Sequence, residues 1–169
     1  QRRTVLRCWE NDRNTLVARE TLTSIRDSVW NGILKAIDYY HLTEYFDLNI
    51  SNFTITCKKN NCQIKFVGCD KIERLKSIEP KKGVFHDLWI EEATGISESD
   101  FDQLNIRLRG GDPSIKKTKT LSFNPIYRTH WIYRKWFTKV PENSTIYENE
   151  QQDILVHKST YKDNRFLTE

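Results

Sequence analysis

Two adjacent carboxylates, Glu91 and Glu92, end a short apolar run in the stretch Val84-Phe-His-Asp-Leu-Trp-Ile-Glu-Glu-Ala-Thr94. Apolar residues without alternation predict a strand buried on both faces, as in a parallel sheet covered by helices. Acids at the carboxyl end of such a strand stand where open α/β sheets place their ligands. The first acid can hold Mg²⁺ directly or through its waters. The second can orient and deprotonate an attacking water. Together they form the Walker B half of a nucleotide-hydrolysing site. The alternative is a solvated acidic pair capping the next helix, since short hydrophobic-acidic strings are common.

Other elements must position that pair. Arg2 to Glu10 reads as a helix with Val5, Leu6 and Trp9 on one side, and Asn11 to Asn14 as a turn. Thr15-Leu-Val-Ala18 is a short buried strand leading into Arg19. From Thr21 onward Leu22, Ile25, Val29, Ile33, Ala36, Ile37 and Tyr40 recur at helical steps and give one apolar face. Phe53 to Thr56 and Gln63 to Val67 alternate as strands around the turn Lys58-Lys-Asn-Asn61, a hairpin. Asp70 to Ile78 reads as a short basic helix.

After the acidic strand, Ser97 and Asp100 are spaced as a capping box for a helix that buries Phe101, Leu104 and Leu108. Lys116 to Lys119 reads as a basic loop, Thr120 to Phe123 as a strand stopping at Asn124-Pro125, and His130 to Phe137 as an aromatic helix. Pro141 to Gln152 reads as a polar loop, and Ile154 to Val156 as a last buried strand. Strands alternating with helices predict an α/β fold: a three-layer, mainly parallel sheet with a hairpin inserted.

The 169 residues are enough for one domain with a real core. No stretch approaches the roughly 20 apolar residues of a membrane span. A net charge of +4 is compatible with a polyanionic partner without specifying one. Lys58-Lys59, Lys81-Lys82 and Lys116-Lys117 could touch phosphates or be solvated turns. The spacing of Cys8, Cys57, Cys62 and Cys69 matches no zinc pattern, which predicts free, mostly buried thiols. The chain opens on Gln1 and holds no Met, so it reads as an excerpt of a longer protein.

Three strand ends share a strand-then-polar pattern: Val17-Ala-Arg19, Ile90-Glu-Glu92 and Phe123-Asn-Pro125. Arg19-Glu-Thr-Leu-Thr-Ser-Ile-Arg-Asp-Ser28, Trp89-Ile-Glu-Glu-Ala-Thr94, Arg107-Leu-Arg-Gly110, Leu121-Ser-Phe-Asn-Pro125, His130-Trp131 and Thr160-Tyr-Lys-Asp-Asn164 occur in that order. The series resembles the ATPase domain of the large terminase subunits of tailed phages, notably the group of the defective Bacillus prophages (PBSX type). The resemblance covers nearly the whole chain, 1–169, as a partial motor domain.

It implies a P-loop motor that hydrolyses ATP with Mg²⁺ to drive double-stranded DNA through the portal protein into a procapsid. The setting would be the host cytoplasm, with a small terminase subunit and a homo-oligomeric ring. On that carry-over Glu91 is the Mg²⁺-coordinating acid and Glu92 the catalytic carboxylate, while Ser122 to Asn124 match the coupling motif. Arg19, Lys76, Arg107 and Arg109 are candidates for the positive charge that phosphoryl transfer needs. Nowhere does Gly-x-x-x-x-Gly-Lys-Ser/Thr occur, so the phosphate loop is expected before Gln1 and the nuclease domain after Glu169. The chain by itself is expected to be inactive. Two other readings stay open: an inactive ATPase-like interaction scaffold, and another P-loop DNA translocase.

Overall fold

The apolar run Thr15 to Ala18 becomes β1 (Asn14–Arg19), buried along most of its length and placed inside a six-stranded sheet. In this computed structural model residues 1–70, 77–124, 126–141, 144–150 and 153–163 are described. The other strands are β2 (Phe46–Asn49), β3 (Thr54–Cys57), β4 (Gln63–Gly68), β5 (Phe85–Glu91) and β6 (Thr118–Ser122). Their order is β2-β3-β4-β1-β5-β6. β4, β1, β5 and β6 run parallel, and β2 and β3 join at one edge as antiparallel strands. The expected hairpin is therefore built into the sheet, because its second strand, β4, is the parallel neighbour of β1. β2 was not legible in the sequence: only Phe46 of its four residues is buried, so no apolar pattern announces it.

Helix α1 (Arg2–Glu10) buries Val5 and Cys8, and touches the helical run that follows β1. That run comprises α2 (Leu22–Ile25), a π-helical turn Arg26–Trp30 and α3 (Asn31–Tyr39). Its apolar stripe meets Val17, Ile55, Ile64 and Phe66 in one core. Leu16, Ala18, Leu88 and Ile90 alternate with the residues of that face and are also fully covered, so the central strands are buried on both sides. All four cysteines are free and buried.

Buried polar groups knit the strand starts together. Asn14 is only 2% exposed, yet its Nδ2 donates to Lys82 O (2.8 Å) and Val84 O (3.0 Å), and its Oδ1 accepts from Gln63 N (2.7 Å). A buried amide with both ends satisfied fixes the register of β1, β4 and β5. At the other end of β4, a Cβ on Gly68 would lie 2.4 Å from Leu22 N, so only glycine lets that strand meet the start of α2.

Helix α4 (Glu98–Ile106) follows β5. The Ser97 side chain accepts from Asp100 N, and the Asp100 carboxylate accepts from Ser97 N, forming the expected capping box. β6 begins at Thr118, inside the stretch read as a basic loop.

The chain divides into two compact units, Gln1–Pro125 and Ile126–Glu169. The second contains the helical segment Tyr133–Phe137, whose Trp136 meets Trp131, just before the segment, edge to face at 5.6 Å. It also contains an antiparallel hairpin of β7 (Ile146–Asn149) and β8 (Ile154–His157). β7 lies where a polar loop was expected, and in β8 only Val156 is buried. β7 is short and half-exposed, a pattern that composition alone reads as loop, whereas β8 falls on the expected last strand but is mostly uncovered. The expected basic helix falls at 71–76, outside the described residues, apart from its ends. No described helix is long and apolar enough to cross a membrane.

Candidate nucleotide site

The parallel pairing brings the carboxyl ends of β1, β5 and β6 to one edge, with Ala18 beside Ile90 and Glu91 beside Ser122. This is the edge at which open α/β sheets place ligands. Glu91 ends β5, and its carboxylate accepts a hydrogen bond from the Ser122 hydroxyl of β6. Trp89 Nε1 donates to the same Ser122 oxygen at 3.4 Å, from two residues earlier on the same face of β5. Glu91 and Ser122 line a groove of about 250 Å³ shared with Gln1, Arg3, Thr4 and Arg7 of the α1 region. The start of α1 thus faces Glu91, so the positive end of the helix dipole lies toward a carboxylate.

Glu92 behaves differently. Its backbone is left-handed, φ 51° and ψ 52°, which breaks strand alternation and starts a tight helical turn at Ala93–Gly95. A non-glycine residue held there stores strain, a feature that clusters at functional sites. Its carboxylate pairs with Arg19 at the end of β1. Arg19 is itself seated: Nη1 donates to Ser24 O and to Ser28 Oγ, both at 2.8 Å. Ser28 Oγ in turn donates to Ser24 O at 2.8 Å. These partners lie where the helix after β1 takes a π-helical turn, a local expansion that recurs at functional sites.

Arg19, Glu20, Thr21, Ser24, Glu92, Thr94, Gly95 and Asn124 line a polar cleft of about 350 Å³. Glu91 lies in the groove beside α1 and Glu92 in this second cleft. The adjacent carboxylates therefore serve two neighbouring concavities, separated by the reversal of backbone hand between them.

Of the sequence candidates, Arg19, Glu92 and Asn124 meet in the cleft, and Glu91 meets Ser122 in the groove. Arg107 and Arg109 follow α4 and line neither, and Arg109 is exposed. Lys76 and Pro125 lie outside the described residues. Sequence reasoning missed Ser24 and Ser28, whose spacing of four on a helix places both over the same neighbour. It also gave no role to Glu20, Thr21 and Thr94, although they lie inside the quoted motifs, and it missed Asp87, a buried acid inside the apolar strand.

Among the described residues no group of three or more His, Cys, Asp or Glu side chains forms a preassembled metal cage. An ion at Glu91 would rest on one carboxylate, water and ligand oxygens, with the Ser122 hydroxyl beside it. That donor set suits Mg²⁺, which keeps several waters and binds through one or two carboxylates plus phosphates.

A mainly parallel sheet with acids at the end of an inner strand, and a polar strand end beside it, makes this a P-loop-type α/β fold. A profile of the phage terminase large subunit family matches residues 1–169, and the chain belongs to that family. It is 30% identical over 174 residues to the PBSX phage terminase large subunit of Bacillus subtilis (strain 168), covering 98% of this chain and 39% of that protein. The chain thus spans well under half the length of that relative. Its fold is similar to the large terminase of a thermophilic bacteriophage, with a TM-score of 0.64 at 19% identity, over 93% of this chain and 34% of that one. It is also similar to the N-terminal domain of the DNA packaging ATPase from bacteriophage phi29, with a TM-score of 0.66 at 11% identity, over 95% of this chain and 81% of that one. The thermophilic phage terminase has been solved with ADP and with ATP-gamma-S.

Proposed function

We propose that the chain is the acid-bearing part of an ATP-hydrolysing motor that drives double-stranded phage DNA through a portal into a procapsid. The observation that carries this reading is the Glu91-Glu92 pair at the end of β5, with Ser122 on the first acid and Arg19 on the second. Bound Mg²⁺ would neutralise charge developing on the phosphates during in-line displacement. Glu91, steadied by Ser122, would hold that ion through its waters. Glu92 would accept the proton of the attacking water, and Asn124 at the cleft would orient that water or a phosphate oxygen. Arg19 keeps the Glu92 carboxylate beside β1, so Glu92 must exchange that partner for water before it can act as a base.

The phosphate-cradling loop is assigned to a segment before Gln1. Two features support that assignment: the start of α1 faces Glu91, and β6, parallel to β5, is an edge strand among the described residues. A nuclease domain after Glu169, a portal protein, a small terminase subunit and a homo-oligomeric ring in the host cytoplasm complete this reading. One observation favours an inactive interaction scaffold instead, because the Arg19–Glu92 pair occupies the carboxylate that hydrolysis needs.

The test is Mg²⁺-dependent ATP hydrolysis by an N-terminally extended protein, beside its Glu92→Gln variant and the 169-residue chain. Turnover is expected in the extended protein, with a loss of at least about a hundredfold in Glu92→Gln and none above background in the 169-residue chain. A well-folded extended protein that does not turn over ATP, even with DNA present, leaves the scaffold.

A further inference from the structure

Asp87, Trp89 and Glu91 alternate onto one face of β5, the face that carries α1. Asp87 is only 6% exposed, yet it is an acid with two guanidinium partners. Arg7 Nη1 of α1 donates to Oδ1 at 2.5 Å, while Arg13 donates to Oδ2 through Nε at 2.8 Å and to Oδ1 through Nη2 at 2.9 Å. Arg13 Nη2 also donates to Lys116 O at 2.7 Å, two residues before β6 begins. One buried carboxylate therefore joins α1, the turn before β1, strand β5 and the entry to β6. Beside it the Thr15 hydroxyl is buried with no hydrogen-bond partner among the described residues, so the polar interior here is centred on Asp87.

A buried ion cluster stabilises poorly compared with apolar packing, but it fixes geometry strictly, because each charge must keep its partner. The fork of Arg13 clamps the carboxylate from two directions, which a single-point contact would not do. α1 is a rigid rod rising about 1.5 Å per residue, so a clamp at Arg7 sets where its first turn stands, which begins about 7.5 Å away at Arg2. That first turn shares the groove with Glu91.

We propose that Asp87 is a positioning residue of the nucleotide site. Through Arg7 it sets the distance between the start of α1 and Glu91. Through Arg13 and Lys116 O it holds β6, the carrier of Ser122, in place against β5. This rests on the ATP-binding reading above and names a residue which that reading does not use.

The test uses the full-length protein and its Arg7→Gln, Arg7→Lys and Asp87→Asn variants. The readouts are the affinity for a fluorescent ADP analogue with Mg²⁺ and the KM and kcat of ATP hydrolysis. Arg7→Gln and Asp87→Asn should raise both Kd and KM roughly tenfold, since small misplacements of a binding element are costly, with a smaller change in kcat. Arg7→Lys, which keeps the charge but replaces the planar Nη1 donor by a point charge, should fall between them and wild type. Folded Arg7→Gln protein, with a native circular dichroism spectrum and wild-type nucleotide affinity, overturns the proposal. Arg7→Gln leaves Arg13 on Asp87, so it decides the matter even if Asp87→Asn does not fold. Wild-type protein that binds no nucleotide overturns the motor reading and this proposal together, and that result is visible before any variant is compared.

Discussion

Single residues in this chain are defined by what holds them. Glu92 sits in a left-handed backbone and against Arg19, so its carboxylate is restrained through main chain and side chain at once. His86 shows the same principle through protonation. Its Nδ1 accepts a hydrogen bond from Asn14 N at 3.2 Å, which requires the neutral ring at that atom. Burial, then the nearby Arg13 and Lys117, lower its pKa below the usual 6.5, against the opposing pull of Asp87. A base whose pKa is depressed on folding is protonated more readily in the unfolded chain. Its contribution to stability is therefore full above pH 6.5 and is lost as pH falls through the folded-state value. The urea midpoint should fall between about pH 7 and about pH 5.5, and fall less in His86→Gln, whose amide oxygen can still accept from Asn14 N. Identical pH profiles for the two proteins would show that His86 does not supply this dependence.

At the scale of elements, α4 is a nine-residue helix whose start is fixed by local chemistry. Isolated helices of this length are marginal, so the cap and the buried Phe101 and Leu104 decide whether it forms. Ser97→Ala removes the acceptor for Asp100 N and should cost about 1 kcal/mol, lowering the thermal midpoint by several degrees. Ser97→Asp, which restores an acceptor, should recover most of that loss in the same thermal scan. A midpoint unmoved in Ser97→Ala would mean that apolar packing alone starts the helix. The helical run after β1 shows the opposite case: its apolar period is continuous in sequence, but its π-helical turn at Arg26–Trp30 accompanies the seating of Arg19 on Ser24 and Ser28.

At the scale of the molecule, the six-stranded sheet ends in two different edges. β2 belongs to an antiparallel pair, whereas β6 leaves a parallel edge with partly exposed residues. Open edges are templates for a further strand. In the N-terminally extended protein the segment carrying the phosphate loop should pair there. Hydrogen exchange should then show β6 amides that exchange quickly in the 169-residue chain becoming protected. Equal exchange in both proteins would place that segment elsewhere.

The sequence by itself determined much of this architecture. Periodicity located the helices at Arg2–Glu10 and after Thr21, the buried strands β1 and β5, and the hairpin of β3 and β4, because each carries an apolar pattern of its own period. Residue type made Glu91, Glu92, Asn124 and Arg19 candidates before any contact was visible. Only the tertiary structure decided which of them share a cleft, since strand order is set by crossovers that no local pattern encodes. It also decided the Arg19–Glu92 pairing, the separation of the two acids into different concavities, and the burial of Asp87 between Arg7 and Arg13. Those contacts join residues 73 to 80 positions apart. Their energies depend on burial and on partners that only the folded chain brings together.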